Sequence, residues 1–201
     1  MAADIDFYYD FSSPYGYFAA TRIEALAAKY GRAVNWRPIL LGPIFKATGG
    51  QPLPLVPLKG SYALRDIART ARLHGIPFAP PEKFPIASQL AARGVLWSAE
   101  RHGAEKAAAL TLALYRAYFA EGLDITDAAT VAGVATTLDI DGAALLEGAG
   151  SAPIKDRLRA EVEAAMARGV FGSPYMIVDD EPFWGFDRFD QLEAWLQNGR
   201  I

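Results

Sequence analysis

Alternating apolar and polar residues open the chain and predict a β-strand. Ile5, Phe7 and Tyr9 are separated by residues that are more polar, which is the two-residue period of a strand. Ser12-Ser13-Pro14 follows directly. Serine is a good helix N-cap and proline is tolerated in the first helical turn. We therefore predict one helix from this point, with apolar residues at helical spacing as far as Gly31.

Three further kinds of segment follow along the chain. Residues 34–41 predict a second strand, so the opening is a strand–helix–strand unit, which normally forms a right-handed parallel crossover. Residues 42–59 are rich in glycine and proline and predict an irregular loop whose length favours a functional role. Helical patterns predominate at residues 61–73 and from about 87 to 169, on either side of a proline-rich extended segment at residues 75–85.

The end of the chain returns to sheet. Two short apolar runs flank Asp179, Asp180 and Glu181, which predicts a hairpin, and a final amphipathic helix follows. The order of elements predicts an α/β fold, a thioredoxin-like domain with a large all-helical insertion. The predicted boundaries are 1–42 for the first part of that domain, 43–168 for the insertion and 169–201 for the second part.

Composition narrows the function. The 201 residues are 52% hydrophobic and 21% charged, which provides ample material for a core, and the net charge of -3 does not favour nucleic-acid binding. No apolar run approaches the roughly 20 residues that span a bilayer, and early aspartates argue against a secretory signal. We therefore expect a cytoplasmic protein that binds neither nucleic acid nor membrane.

The absence of cysteine excludes a cysteine nucleophile, a disulfide and a thiolate metal site. His74 and His102 are the two histidines, and neither has the spacing of a metal ligand, so we expect no metal. Ser13 lies where a strand meets a helix, a place where a hydroxyl can donate a hydrogen bond to a thiolate that a ligand brings. Judged from the local sequence, a simple capping role is the commoner outcome for such a serine.

Five segments of the chain carry a family resemblance: DFYYDFSSPYGYFA, RPILLGPIFKATGG, LKGSYALRDIART, VFGSPYMIV and FWGFDRFDQLEAWL. They resemble the 2-hydroxychromene-2-carboxylate isomerases and the related kappa-class glutathione transferases, which belong to the DsbA-like thioredoxin group. The likeness covers nearly the whole chain, and its most specific parts are the opening D-F-x-S-P and the closing G-x-D-R. It implies glutathione as cofactor, a small aromatic or electrophilic substrate, and a homodimer.

The resemblance also implies roles for particular residues. Ser13 would contact the glutathione sulfur, and Ser173 and Pro174 would form a cis-proline segment that pairs with the peptide backbone of the ligand. At Phe186, where the family often has a small polar residue, a backbone contact is the expectation. Phe186 belongs to a γ-glutamyl segment, residues 185–188, in which Gly185, Asp187 and Arg188 are further implied contacts for the γ-glutamyl group of glutathione. Lys46 and Gln51 are the remaining implied glutathione contacts. The implied substrate contacts are Tyr15, Phe84 and Trp184.

Three functions stay open from the sequence. The first is glutathione-dependent cis-trans isomerisation of 2-hydroxychromene-2-carboxylate or a similar aromatic ketoacid. The second is a kappa-like transferase that conjugates glutathione to electrophiles, and the third is a non-catalytic module that binds glutathione or a partner. Thiol-disulfide exchange is excluded, because a chain without cysteine cannot form the mixed disulfide.

Overall fold

The computed structural model describes residues 3–201, which include a four-stranded mixed sheet in the order β2-β1-β3-β4. The strands are β1 (Ile5–Tyr9), β2 (Val34–Pro38), β3 (Tyr175–Val178) and β4 (Glu181–Trp184). β1 pairs with β2 in parallel and with β3 antiparallel, and β3 pairs antiparallel with β4. The predicted parallel opening and the terminal hairpin are both present.

The central strand β1 is buried on both faces of the sheet. Ile5, Phe7 and Tyr9 are fully buried in the larger hydrophobic core, as their alternation predicts. Tyr8 points to the opposite face and is also buried, in a second core with Ile39 of the chain after β2. A central strand covered by helices on both sides has no face exposed to solvent. Tyr8 is therefore buried, although the alternation along β1 places it among the more polar, outward-facing positions.

The single helix predicted before Gly31 is wrong, because the structure has two helices there. They are α1 (Pro14–Ala20) and α2 (Ile23–Lys29). At the break, Arg22 N donates to Ala19 O at 3.0 Å, an i to i−3 bond of the tighter helical kind. The helix that carries Ser13 at its start is therefore only seven residues long.

The irregular loop predicted at residues 42–59 is also wrong in its first half. It contains α3 (Leu41–Thr48) and a short 3-10 helix (Leu53–Leu55). The first N–H of α3 donates to Asp10 Oδ2 at 2.6 Å, Ile44 is buried, and Gly49 ends the helix with a φ of 74°. Proline in the first turn is compatible with a helix, so a long-range cap and one buried anchor are enough to form it.

The chain between α3 and the terminal hairpin is mainly helical, with an extended segment between α4 and α5 as predicted. None of the helices within residues 3–201 is long and apolar enough to cross a membrane. The helices are α4 (Lys59–Leu73), α5 (Gln89–His102), α6 (Ala104–Phe119), α7 (Ala128–Thr136), α8 (Gly142–Gly150) and α9 (Ala152–Ala167).

The hairpin turns on Asp179 and Asp180, with φ values of 50° and 64°, while Glu181 belongs to β4. Both guanidinium nitrogens of Arg32 donate to the Asp179 carboxylate, at 3.0 and 2.8 Å, and so hold the turn against the start of β2. A 3-10 helix (Phe186–Arg188) and α10 (Phe189–Asn198) complete the chain. Two cores therefore lie on the two faces of one sheet.

Candidate functional site

Ser13 joins the start of α1 to the segment before β3. Its hydroxyl oxygen accepts a hydrogen bond from Gly16 N at 3.0 Å, and its proton is donated to the main-chain carbonyl of Ser173 at 2.8 Å. Ser13 is 6% exposed. The residue is thus both the N-cap of α1, which the local pattern predicts, and the direct neighbour of the predicted cis-proline segment.

The Ser173–Pro174 peptide bond is cis, in the place where the resemblance implies it. The Ser173 hydroxyl accepts from Asp10 N at 3.0 Å, and Gly185 N donates to Pro174 O at 3.0 Å. A chain of hydrogen bonds therefore connects β1, the Ser173–Pro174 segment and the glycine that follows β4. Ser13, Ser173, Pro174 and Gly185, which the resemblance assigns to one site, lie together at one edge of the sheet.

Asp10 accepts hydrogen bonds from several of the elements at this edge of the sheet. It is not among the predicted site residues. Its carboxylate accepts from Ser88 Oγ at 2.6 Å, Ser12 N at 2.8 Å and the first N–H of α3 at 2.6 Å. Its main-chain carbonyl accepts from Tyr115 Oη at 2.9 Å. A carboxylate placed at the end of a strand, three residues before Ser13, was the available sequence signal.

The carboxyl of Asp10 is 3% exposed, and burial raises its pKa above the ordinary value although the three donated hydrogen bonds act in the opposite direction. Its ligands come from α3, from the turn before α1 and from the start of α5. Asp10 therefore fixes the relative positions of these three elements around Ser13.

Gly16 allows α1 to approach the site closely. A Cβ placed on it would lie 2.6 Å from Tyr115 Oη, 2.9 Å from Ser173 Oγ and 3.2 Å from Ser13 Cβ. Tyr115 is fully buried, and burial raises the pKa of its hydroxyl well above the ordinary value. The neutral hydroxyl remains a donor to Asp10 O, so this contact is rigid rather than adaptable.

The predicted γ-glutamyl segment begins at Gly185. Phe186 is buried and packs its ring 5.8 Å from that of Phe18, so its side chain belongs to the core, and the backbone contact with a ligand stays a prediction. Asp187 and Arg188 are exposed and form an ion pair with each other at 3.0 Å. An ion pair exposed to solvent in this way contributes little to stability.

Tyr15, a predicted substrate contact, is bound to α4. Its hydroxyl donates to Asp66 Oδ2 at 2.6 Å, and Asp66 also pairs with Arg69. Burial first, and then the hydrogen bond to Asp66, raise the pKa of the Tyr15 hydroxyl. The negative charge of Asp187 makes a smaller contribution to the same rise in the pKa. The ring of Phe186 packs against α1, so the segment that contains Asp187 contacts this helix. Asp66 is a second residue that the sequence reasoning missed.

Three other predicted contacts, Lys46, Gln51 and Phe84, make no hydrogen bond to Ser13 or Ser173 in the described part of the chain. Lys46 is exposed in the last turn of α3, and Gln51 is exposed just beyond that helix. Phe84 is half-buried, with its ring 6.3 Å from that of Phe119, and Ile86 N donates to Ser12 Oγ at 3.1 Å.

Trp184 is 55% exposed. Its ring centroid lies 4.8 Å from that of Phe171, which is 43% exposed. These two rings form an exposed aromatic pair next to Gly172, directly before Ser173.

Among the residues that the structure describes, few N–H groups are free at the start of α1. The favourable effect of a helix N-terminus on an anion comes from free N–H groups in the first turn. Pro14 has no N–H, and the N–H of Gly16 is already donated to Ser13. The Ser13 hydroxyl at the N-cap and the N–H of Tyr15 are therefore the donors at the start of α1 that could stabilise an anion.

Comparison with known proteins agrees with this arrangement. The sequence profile of the DSBA-like thioredoxin domain matches residues 4–197. The chain is 34% identical to the 2-hydroxychromene-2-carboxylate isomerase of Sphingobium xenophagum, over 98% of this chain and 99% of the relative. It is 26% identical to glutathione S-transferase kappa 2 of Caenorhabditis elegans, over 96% of this chain and 91% of the relative.

The solved structure of a 2-hydroxychromene-2-carboxylate isomerase is similar to this chain with a TM-score of 0.87 and 33% identity, over 96% of this chain and 94% of that structure. Both the fold class and the resemblance stated from the sequence are thereby confirmed. The chain belongs to the DSBA-like thioredoxin family and, within it, to the group of enzymes that includes the 2-hydroxychromene-2-carboxylate isomerases and the kappa-class glutathione transferases.

Proposed function

We propose that this protein is a glutathione-dependent cis-trans isomerase that acts on 2-hydroxychromene-2-carboxylate or a similar aromatic ketoacid. The observation that carries the proposal is the position of the Ser13 hydroxyl, which contacts the Ser173 carbonyl next to a cis-proline at 2.8 Å. Relatives that match almost the whole chain carry the name of this isomerase, and others carry the name of glutathione transferases.

The residues at this edge of the sheet fit a glutathione tripeptide. The backbone of Ser173 suits pairing with an extended peptide, and Asp187 with Arg188 suits a group that carries both an ammonium and a carboxylate. Gly16 lets α1 pack closely against Ser173, which keeps Ser13 next to that backbone. Lys46 and Gln51 are the remaining polar groups that we assign to the ligand, together with the main chain of Gly185 and Phe186.

When bound, glutathione supplies a thiol whose anion adds to a conjugated carbon, permits rotation about the former double bond and is released unchanged. A free cysteine thiol has a pKa of about 8.5, so most of it is protonated at neutral pH. Ser13 lowers this value by donating a hydrogen bond to the ionised form. Lys46 is our candidate donor for negative charge that develops on a substrate oxygen.

Tyr15, Phe84 and Trp184 are the proposed walls for the aromatic substrate. Of these three residues, Trp184 is the best placed to contact a substrate, because its ring is exposed and the residue directly precedes the proposed γ-glutamyl segment. Holding the electrophile beside the sulfur converts a bimolecular addition into a step within one complex.

Ser13→Ala tests the proposal. It removes the donor and an N-cap, so it also lowers the free energy of unfolding by about 1 kcal/mol. Asp127→Ala is the matched control, because Asp127 caps α7 through the equivalent bond to Thr130 N at 2.9 Å. We expect Ser13→Ala to bind glutathione in calorimetry but to lose most isomerase turnover, whereas Asp127→Ala loses stability alone. Full turnover by Ser13→Ala would refute the role of Ser13.

The transferase alternative uses the same site and has support from the kappa-class relatives. Free thiol measured after turnover separates the two: recovered glutathione identifies an isomerase, and consumed glutathione identifies a transferase. A protein that binds glutathione but turns over neither the ketoacid nor an aryl halide is the non-catalytic module.

A further inference from the structure

The single proton of the Ser13 hydroxyl is already in use. A serine hydroxyl has one donor and two acceptor positions. Here the proton goes to Ser173 O at 2.8 Å, and the oxygen accepts from Gly16 N at 3.0 Å. In the proposed function, which this inference builds on, the same proton must point at a sulfur atom. It must therefore first leave the Ser173 carbonyl.

That carbonyl cannot simply turn away, because the segment is held on both sides. The Ser173 hydroxyl accepts from Asp10 N, and Pro174 O accepts from Gly185 N, each at 3.0 Å. Within residues 3–201, Ser13 is the one donor found for Ser173 O. Removing its only protein donor from a carbonyl at a partly buried position is unfavourable. Rotation of the Ser13 O–H is favourable only when another donor reaches Ser173 O.

We infer that the ligand itself releases the Ser13 proton, and that the site therefore activates only thiols that carry an N–H donor close to the sulfur. The amide N–H of an N-acylated cysteine is such a donor, because nitrogen and sulfur sit on neighbouring carbons. The N–H takes over the Ser173 carbonyl, and the Ser13 O–H rotates to the sulfur while its oxygen continues to accept from Gly16 N. The number of hydrogen bonds is conserved. Simple thiols, and cysteines without this N–H, do not receive the Ser13 proton.

Two methylated analogues of glutathione test the inference. One carries N-methyl on the cysteinyl nitrogen, and the other has sarcosine in place of glycine, so that the control is methylated at the other amide. The readouts are calorimetric affinity and the pKa of the bound thiol, followed through the ultraviolet absorbance of the thiolate. We expect the sarcosine analogue to behave like glutathione. We expect the bound thiol of the cysteinyl N-methyl analogue to have a pKa about one unit higher, which is a tenfold smaller ionisation constant.

The same two analogues are also compared in the Ser13→Ala variant, which has no hydroxyl proton to release. In this variant the two analogues should show the same thiol pKa, so the effect of cysteinyl methylation disappears. Weaker binding of the cysteinyl N-methyl analogue supports the inference only when its bound thiol also has the higher pKa, because any contact to this N–H would lower the affinity.

Two results would overturn these ideas in distinguishable ways. An equally lowered pKa for both analogues in the wild-type protein would overturn the inference and leave the proposed function intact. A bound glutathione whose thiol pKa is not lowered at all, or no binding of glutathione, would overturn the proposed function and the inference with it.

Discussion

Replacing Gly16 by alanine should disrupt the site from within α1. The added Cβ would lie 2.6 Å from Tyr115 Oη and 2.9 Å from Ser173 Oγ, both closer than carbon and oxygen tolerate. Neither oxygen can move freely, because Tyr115 Oη donates to Asp10 O and Ser173 Oγ accepts from Asp10 N. The strain must therefore be taken up by moving α1 away from the Ser173–Pro174 segment.

The expected magnitude follows from opposing contributions. Alanine in place of glycine favours a helix by at most about 1 kcal/mol. Overpacking a rigid interior costs about 1–3 kcal/mol, and weakening one hydrogen bond to Asp10 adds about 1 kcal/mol. We expect Gly16→Ala to lower the free energy of unfolding by about 1–3 kcal/mol, and the melting temperature by roughly 2–12 °C for a chain of this size.

Gly133→Ala is the matched control, because Gly133 lies in α7 with open space where its Cβ would be. That substitution should leave stability unchanged or raise it by up to about 1 kcal/mol. Urea unfolding measures both variants, and the pKa of bound glutathione reports separately on the contact between Ser13 and Ser173. A Gly16→Ala protein as stable as Gly133→Ala, with an unchanged thiol pKa, would refute the close-packing argument.

Three further predictions concern carboxylates and their partners. Asp10→Asn turns an amide NH₂ toward groups that are themselves donors, and should lower the free energy of unfolding by about 1–3 kcal/mol; a wild-type urea midpoint would contradict this. Tyr15→Phe removes the bond to Asp66 and should cost about 1 kcal/mol, and loss of substrate affinity without that destabilisation would show that the Asp66 bond is unimportant. Burial acts to raise the pKa of Asp6, but hydrogen bonding to Arg168 and nearby positive charge outweigh it and lower the pKa. The unfolded state therefore binds the Asp6 proton more readily, so this contribution to stability is present above about pH 4 and is lost as the pH falls through the lowered folded-state pKa. Asp6→Asn should reduce the difference between urea midpoints at neutral and acidic pH, and an unchanged difference would contradict the assignment.

Local patterns in the sequence were sufficient for much of the fold. The alternation in β1, the Ser-Pro start of α1 and the aspartates of the hairpin turn are signals that neighbouring residues carry among themselves. The βαβ opening and ββα ending follow from them, since strand period and turn chemistry depend on residues a few positions apart. The placement of Ser173 and Gly185 near Ser13 came instead from the resemblance to known enzymes.

The tertiary structure alone decided the rest, because the interactions responsible join residues far apart in the chain. Helix α3 is capped by Asp10, which lies 31 positions before its first residue. Because this cap is not visible locally, the glycine and proline in the helix predicted a loop. Tyr8 is buried because helices cover both faces of the sheet. The Ser13 proton is held by a carbonyl 160 positions away. The sequence shows the local secondary-structure preference of each residue. The hydrogen-bond partner of a buried polar group is set by the tertiary fold, because that partner can lie anywhere in the chain.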